Sequence, residues 1–88
     1  MKTRVWFFLQ KRNSNSPYNS YETVSQDFFE DLDFIPRIGE YVECFNEVSG
    51  FVAHVQHCMV SSDGELYSSM VINIYLVSTK LEIEGFLQ

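Results

Sequence analysis

The most reactive side chains of the chain belong to Cys44, His54, His57 and Cys58. Zinc takes four nitrogen or sulfur ligands in a tetrahedron, and structural sites commonly supply them as close pairs in turns. His54, His57 and Cys58 fall instead within one predicted strand, where His54 and Cys58 share a face and His57 points away. We therefore expect no metal site and no cofactor, with both histidines partly exposed on the strand.

The same four side chains formally offer a cysteine nucleophile with a histidine base. A catalytic cysteine needs a lowered thiol pKa, which a helix N-terminus or a neighbouring cation supplies. The sequence around Cys44 is acidic, and nearby carboxylates raise a thiol pKa. We expect two free, buried cysteines, no catalytic residue and no enzymatic activity.

Residues 27–34 alternate carboxylates with aromatic side chains. They do not match the spacing of a calcium loop, because phenylalanines interrupt the acids. One interpretation is an ordinary solvated face. The sharper hypothesis is a recognition element that offers aromatic anchors within a negative rim to a basic groove. The candidate partner-binding residues are Asp27, Phe28, Phe29, Glu30, Asp31, Asp33 and Phe34.

The net charge of −6 hides an uneven distribution. Four of the six basic residues lie in the first twelve positions, whereas all twelve acids follow them. Such a surface repels phosphate backbones and attracts basic partners. The aromatic run Trp6-Phe7-Phe8 beside basic residues could stack on a single-stranded nucleic acid. The excess of acids argues against direct nucleic-acid binding.

The chain of 88 residues predicts one small domain, 1–88, built largely of strands. Strands are predicted over 3–9, 40–45, 51–60 and 70–77, and a short edge strand over 81–86. An asparagine- and serine-rich loop over 13–20 is expected to be flexible. A hairpin turn is expected over 61–65, around Asp63-Gly64.

Residues 21–34 allow two structures. Val24, Phe28 and Leu32 recur every fourth residue, as on one stripe of an amphipathic helix, and Thr23 with Gln26 has the form of a capping box. The preceding run 21–24 favours extended structure, which would let the segment pair with the first strand. The spacing favours the helix.

Residues 35–42, Ile-Pro-Arg-Ile-Gly-Glu-Tyr-Val, have the character of a turn that begins a strand. With the later runs 52–55 and 72–76, this entry resembles uncharacterised small bacterial and phage proteins. The resemblance covers about half of the chain and implies an SH3-like barrel, but no functional residues. The acidic segment 21–34 and the loop 13–20 lie outside it.

The sequence thus predicts a mainly β fold, with α+β as the alternative. The expected architecture is a small antiparallel SH3-like barrel or curled sheet of about five strands with at most one short helix. The predicted function is a non-enzymatic protein–protein interaction module for a partner with a basic surface. One concrete form is a phage-encoded acidic inhibitor that mimics nucleic acid and blocks a basic site on a host defence protein.

The alternative is a barrel that binds a small molecule or nucleic acid in a strand-lined cleft, with His54, His57 and Tyr75 contributing. The chain has 14 aromatic residues (eight Phe, five Tyr and one Trp), which are many for so thin a core. Some of them are expected on the surface, so the sequence also allows a homodimer. The N-terminal apolar run is too short for a signal peptide, and no stretch is long enough to span a membrane. We expect a soluble, cytoplasmic protein.

Overall fold

The computed structural model describes residues 2–13, 20–45, 47–60 and 69–87. Within these ranges the chain forms β1 (Lys2–Arg12), β2 (Tyr21–Glu30), β3 (Tyr41–Glu43), β4 (Ser49–Val60), β5 (Ser69–Val77) and α1 (Glu82–Leu87). The five described strands make one sheet in the order β2-β1-β5-β4-β3. The sheet curls into a half-barrel, which confirms the predicted mainly β fold with one short helix.

One strand pair departs from the predicted antiparallel arrangement. β1 and β5 run parallel, from Lys2 opposite Ser69 to Leu9 opposite Leu76. The other described pairs, β1–β2, β3–β4 and β4–β5, are antiparallel. The parallel pair sets the apolar residues of the two strands side by side on one face, so burial of that face outweighs the weaker hydrogen-bond geometry.

The helix predicted over residues 21–34 is wrong, and the alternative is confirmed. β2 pairs with β1 from Glu30 opposite Arg4 to Tyr21 opposite Arg12. Val24 and Phe28, assigned to the buried stripe of a helix, are 48% and 44% exposed. Pairing with β1 satisfies the backbone groups of residues 21–30 that face β1 and packs Phe29 against the core, whereas a short helix needs an apolar face to bury.

The edge strand predicted over 81–86 is also wrong, because residues 82–86 belong to helix α1. The Thr79 N–H donates to Glu82 Oε2 at 3.0 Å, and the Thr79 hydroxyl lies 3.3 Å from the same oxygen. This is the Glu half of a capping box, a Thr-x-x-Glu signal present in the sequence. Phe86 then packs against Tyr75 and Tyr21, with ring centroids 5.7 and 5.3 Å apart.

The core lies on the inner, concave face of the sheet. Its buried cluster consists of Val5, Phe7, Val48, Val52, Ile72, Ile74 and Leu76. A bulge in β4 sets Val52 opposite Leu76 but His54 opposite Tyr75. Strict alternation along the strand would place Val52 and His54 on one face, but the bulge inserts Ala53 between them and puts them on opposite faces.

The predicted turn before β3 is present. Gly39 has φ +94°, the Glu40 N–H donates to the Arg37 carbonyl at 3.1 Å, and the Val52 N–H donates to the Glu40 carbonyl at 2.8 Å. The loop predicted over 13–20 lies outside the described residues except at its ends, where the Asn13 N–H donates to the Ser20 carbonyl at 2.9 Å. The hairpin turn predicted over 61–65 lies entirely outside them.

Candidate functional site

β2 and β3 are the two edges of the described sheet, and an open cavity of about 280 Å³ lies between them. We call it the seam cavity. Its walls come from both edges, from the connection between them and from the core strand β1. The lining residues are Phe7, Phe29, Leu32, Phe34, Pro36, Tyr41, Val42, Glu43 and Cys44.

Strand pairing explains how the aromatic walls reach the seam cavity. Phe29 lies opposite Val5 on the inner face and makes an edge-to-face contact with Phe7 at 5.8 Å. Across the seam, Tyr41 begins β3 and packs edge-to-face on Phe51 at 5.1 Å. Phe34 lies in the connection and is 69% exposed. The cavity therefore has a buried aromatic floor and an exposed aromatic rim.

The electrostatic character of the seam cavity is acidic. Burial, and then the negative charge of Asp27, raises the pKa of the Cys44 thiol from 9.0 to about 11. The carboxylate of Asp27 is therefore close enough to act on a residue of the lining. Glu43 lines the cavity directly, and no basic residue does so among the described residues. Cys44 stays a neutral thiol at physiological pH, which makes it a poor nucleophile.

Asp27 also modifies the free edge of β2. Its Oδ1 accepts the N–H of Phe28 at 2.8 Å. The Asp31 N–H donates to the Thr3 carbonyl of β1 at 3.0 Å. The N–H groups of the even-numbered residues before Asp31 therefore point away from β1, toward the open edge of the sheet. A carboxylate that caps an outward N–H blunts the edge against unwanted strand pairing.

The structure divides the acidic-aromatic candidate residues between two faces. Asp27 lies opposite Phe7, and Phe29 opposite Val5, so both belong to the inner face. Phe28 and Glu30 alternate with them on the outer face.

Beyond the end of β2, three further candidates lie in the connection toward β3. Asp31, which has φ +55°, Asp33 and Phe34 are all exposed there. Phe29 and Phe34 line the seam cavity and Asp27 acts on its lining residue Cys44, whereas Phe28 and Glu30 lie on the other side of the sheet.

On the outer face, Phe28 and Glu30 both contact Arg4. The Arg4 Cζ lies 4.8 Å from the centroid of the Phe28 ring, and its Nη2 lies 2.7 Å from Glu30 Oε1. Both partners of the ion pair are about half exposed, 47% and 48%. Arg4 of β1 is thus held by an aromatic ring and a carboxylate that both belong to β2.

The outer face also carries a run of ring contacts that sequence reasoning missed. Successive centroids lie 4.8 to 5.9 Å apart. In spatial order the outer aromatic run is Phe28, Trp6, Phe8, Tyr75, Phe86 and Tyr21. It joins β2, β1, β5 and α1, so only the alternation within β1 could have been found in the sequence.

The histidines and cysteines do not converge. His54 lies opposite Tyr75 and Cys58 opposite Val71, whereas His57 lies opposite the core residue Ile72. This confirms that His54 and Cys58 share a face and His57 points away. Both cysteines are free, and in the described part of the chain no three His, Cys, Asp or Glu side chains are grouped to hold a metal ion.

No protein-family model, curated protein or solved structure matches the chain. The resemblance carried by residues 35–42 therefore stays a prediction. Among the described residues, no helix has the length and apolar character needed to cross a bilayer.

Proposed function

We propose that the protein is a non-enzymatic interaction module that binds a basic segment of a partner protein at the seam between β2 and β3. The observation that carries this proposal is the composition of the seam cavity. Phe29, Phe34 and Tyr41 line it together with the carboxylate of Glu43, and Asp27 acts on it electrostatically. Aromatic anchors surrounded by charge are the usual centre of a protein interface.

The exposed surface around the cavity supports the same proposal. Phe34 and Tyr41 are 69% and 54% exposed, and Phe45, next to the lining residue Cys44, is 78% exposed. Large apolar side chains that share one area of a small protein mark an interaction surface. Asp31 and Asp33 add negative charge beside them, which favours a basic partner and speeds its encounter.

A more specific form of this proposal is an acidic inhibitor, encoded by a phage, that blocks a nucleic-acid-binding site on a host defence protein. The net charge of −6 supports it, because such a site is basic. In this form the partner would release its nucleic acid when the inhibitor binds.

Affinity capture with two matched variants tests the proposal. The seam variant is Asp31→Asn with Glu43→Gln, and the control is Glu22→Gln with Glu84→Gln, which removes the same charge from exposed positions elsewhere. Asp27 is left intact because it also caps the β2 edge. We expect one basic protein, identified by mass spectrometry and re-tested in purified form, to bind the wild type and the control but not the seam variant.

The binding should also weaken as salt rises, because surface charge interactions are screened. Equal capture of that protein by the seam variant and the control would rule out the seam as its binding site. Displacement of nucleic acid from the purified partner would test the inhibitor form separately.

The outer aromatic run supports a second candidate, the binding of a planar small molecule or of unpaired bases by stacking. Its partly exposed rings, with the His54 ring 5.9 Å from Tyr75, form an aromatic strip across the sheet, and Gln56 lies opposite Asn73 on the neighbouring strands. Such binding should survive neutralisation of the seam acids and fail in Trp6→Ala. A quench of Trp6 fluorescence by nucleosides or short oligonucleotides would measure it.

A further inference from the structure

We propose that the seam cavity is the binding site for a single arginine side chain of the partner. This inference rests on the proposed function and deepens it, because it names the group that occupies the cavity. The occupant must match three properties of the site, which are its size, its aromatic walls and its carboxylates.

The size of the cavity suits one long side chain. Its volume of about 280 Å³ lies just below that of pockets that hold whole small molecules, roughly 300 to 1,000 Å³. Leu32, Val42 and the Phe7 floor offer apolar contact to an aliphatic stem. A side chain that enters between the two edges would therefore bury its stem and bring its end group to the rim.

The rim favours a planar cation. Phe34 and Tyr41 present exposed rings, and Glu43 presents a carboxylate beside them. A guanidinium group stacks on aromatic faces and donates two parallel hydrogen bonds to a carboxylate, which an ammonium group cannot do. A purely apolar anchor would desolvate Glu43 without a compensating partner, and an anionic one would be repelled.

The charge of Asp27 strengthens this preference from the other side of the seam. It contributes to the raised pKa of Cys44, so its negative potential reaches the cavity lining. Cys44 itself is neutral below pH 9 and adds no competing charge. Among its described lining residues the site presents the carboxylate of Glu43 and no cation, and Asp27 adds its negative charge at Cys44.

The chain already contains one arginine bound by this combination of groups. On the outer face Arg4 lies over the Phe28 ring at 4.8 Å and pairs with Glu30 at 2.7 Å. Phe29, the next residue of β2, takes part in the corresponding aromatic and carboxylate set on the inner face. The Arg4 arrangement shows that the geometry is attainable with these residue types at a strand edge.

A titration followed by amide NMR tests the inference without the partner. The probes are capped pentapeptides with one central arginine, citrulline, lysine or norleucine among glycines. Citrulline keeps the shape of arginine and lacks its charge. We expect the arginine peptide to shift the amides of Val42, Glu43 and Phe29, and the citrulline peptide to bind about tenfold more weakly, a difference of about 1.4 kcal/mol.

Variants locate the binding. Glu43→Gln should lower arginine binding to the level of citrulline, and Phe34→Ala should weaken both, whereas Glu84→Gln should leave the titration unchanged. Glu43 and Phe34 are exposed, so both variants should keep the wild-type spectrum away from the seam. Stronger binding of lysine than of arginine, or equal binding of citrulline, would overturn the choice of arginine.

Two other results would overturn the inference while leaving the proposed function standing. One is the absence of seam shifts up to about 20 mM peptide, where binding is worth only about 2.3 kcal/mol. The other is a set of shifts spread evenly over the acidic surface. In either case, loss of partner capture by the seam variant would still support protein binding at the seam. Retained capture would reject both the proposed function and the arginine site.

Discussion

Phe28 and Phe29 are neighbours in β2, yet they belong to two arrangements with the same chemistry and different consequences. On the outer face, Phe28 and Glu30 hold Arg4 of the adjacent strand. On the inner face, Phe29 joins Tyr41 and Glu43 across an open seam. The outer set is complete within the β1–β2 pair. The inner set is assembled from both sheet edges and is open to a second molecule.

The unpaired edges are where a small half-barrel can place recognition chemistry. On paired strands, the Cβ atoms of directly opposite residues lie about 4.5 to 5.5 Å apart, close enough for their side chains to make contact. Inside the sheet, neighbouring side chains of complementary chemistry therefore bind one another. At the unpaired edges no neighbouring strand supplies the complementary group. Acids and aromatics at an edge are therefore available to a second molecule.

Truncating a side chain should cost more stability on the inner face of the sheet than on the outer face. Ile74 is completely buried in the core, and the next residue, Tyr75, is half-buried in the outer aromatic run. Ile74→Ala should lower the free energy of unfolding by about 3 kcal/mol, and Tyr75→Ala by about half as much, because its ring leaves less of a cavity. Urea denaturation measures both; equal losses would show that the outer rings pack as tightly as the core.

A smaller loss is expected where the β1–β2 register shifts, between Leu9 and Gln10. Gln10 is only 5% exposed, and its Nε2 donates to Thr23 Oγ1 at 2.6 Å. Thr23→Val removes this acceptor at nearly constant size and should cost about 1 to 2 kcal/mol in the same denaturation experiment. Thr23→Ser, which keeps the hydroxyl, is the control and should stay within about 0.5 kcal/mol of the wild type.

The pKa of the Cys44 thiol reflects its burial first and the negative charge of Asp27 second. Its pKa is raised to about 11 from 9.0, so at pH 8 the folded protein should react with iodoacetamide at least about tenfold more slowly than the unfolded chain, measured in Cys58→Ser. Asp27→Asn should speed the folded reaction. An unchanged rate in Asp27→Asn would show that the charge of Asp27 does not act on the seam cavity.

The same pKa implies a dependence of stability on pH. Because the folded pKa lies above the unfolded one, the contribution of Cys44 is complete below about pH 9. It is then lost as the pH rises toward 11. Cys44→Ala should remove this part of the decline, which denaturation curves at pH 8 and pH 10 would reveal.

The smallest effect concerns the outer arginine. A double-mutant cycle of Arg4→Met and Glu30→Gln should give a coupling energy of about 0.2 to 1 kcal/mol, because both side chains are about half exposed, 47% and 48%. The coupling should shrink in high salt. A coupling above about 2 kcal/mol would mean that the Phe28 ring desolvates the pair and that an equivalent inner site binds arginine more strongly than we expect.

Much of the fold could be predicted from local signals. Gly39 and Pro36 mark the turn before β3, and the apolar alternation of β5 identifies its buried face. The helix predicted over 21–34 was wrong because Val24 and Phe28 have helical spacing by coincidence, and pairing with β1 decides the structure there. The edge strand predicted over 81–86 was wrong because the spacing of Glu82 and Glu84 is also compatible with a helix, and Thr79 caps one there.

Of the candidate site, composition predicted the chemistry and not the arrangement. The acidic and aromatic residues of segment 27–34 were identified, but strand alternation divides them between two faces. Tyr41, Glu43 and Cys44 were not proposed as binding residues, because their place beside Phe29 depends on the curl of the sheet. The acidic surroundings of Cys44 were the one signal that linked them to the segment.

Some properties follow from the chain alone because they depend on near neighbours, namely strand propensity, the turn at Gly39 and the distribution of charge. The tertiary structure alone decided the parallel pairing of β1 with β5, the bulge before His54 and the meeting of the two edges at the seam. The physical reason is range. Residues far apart in the chain are brought together by burial of a shared apolar face, and that burial is a property of the whole sheet rather than of any segment.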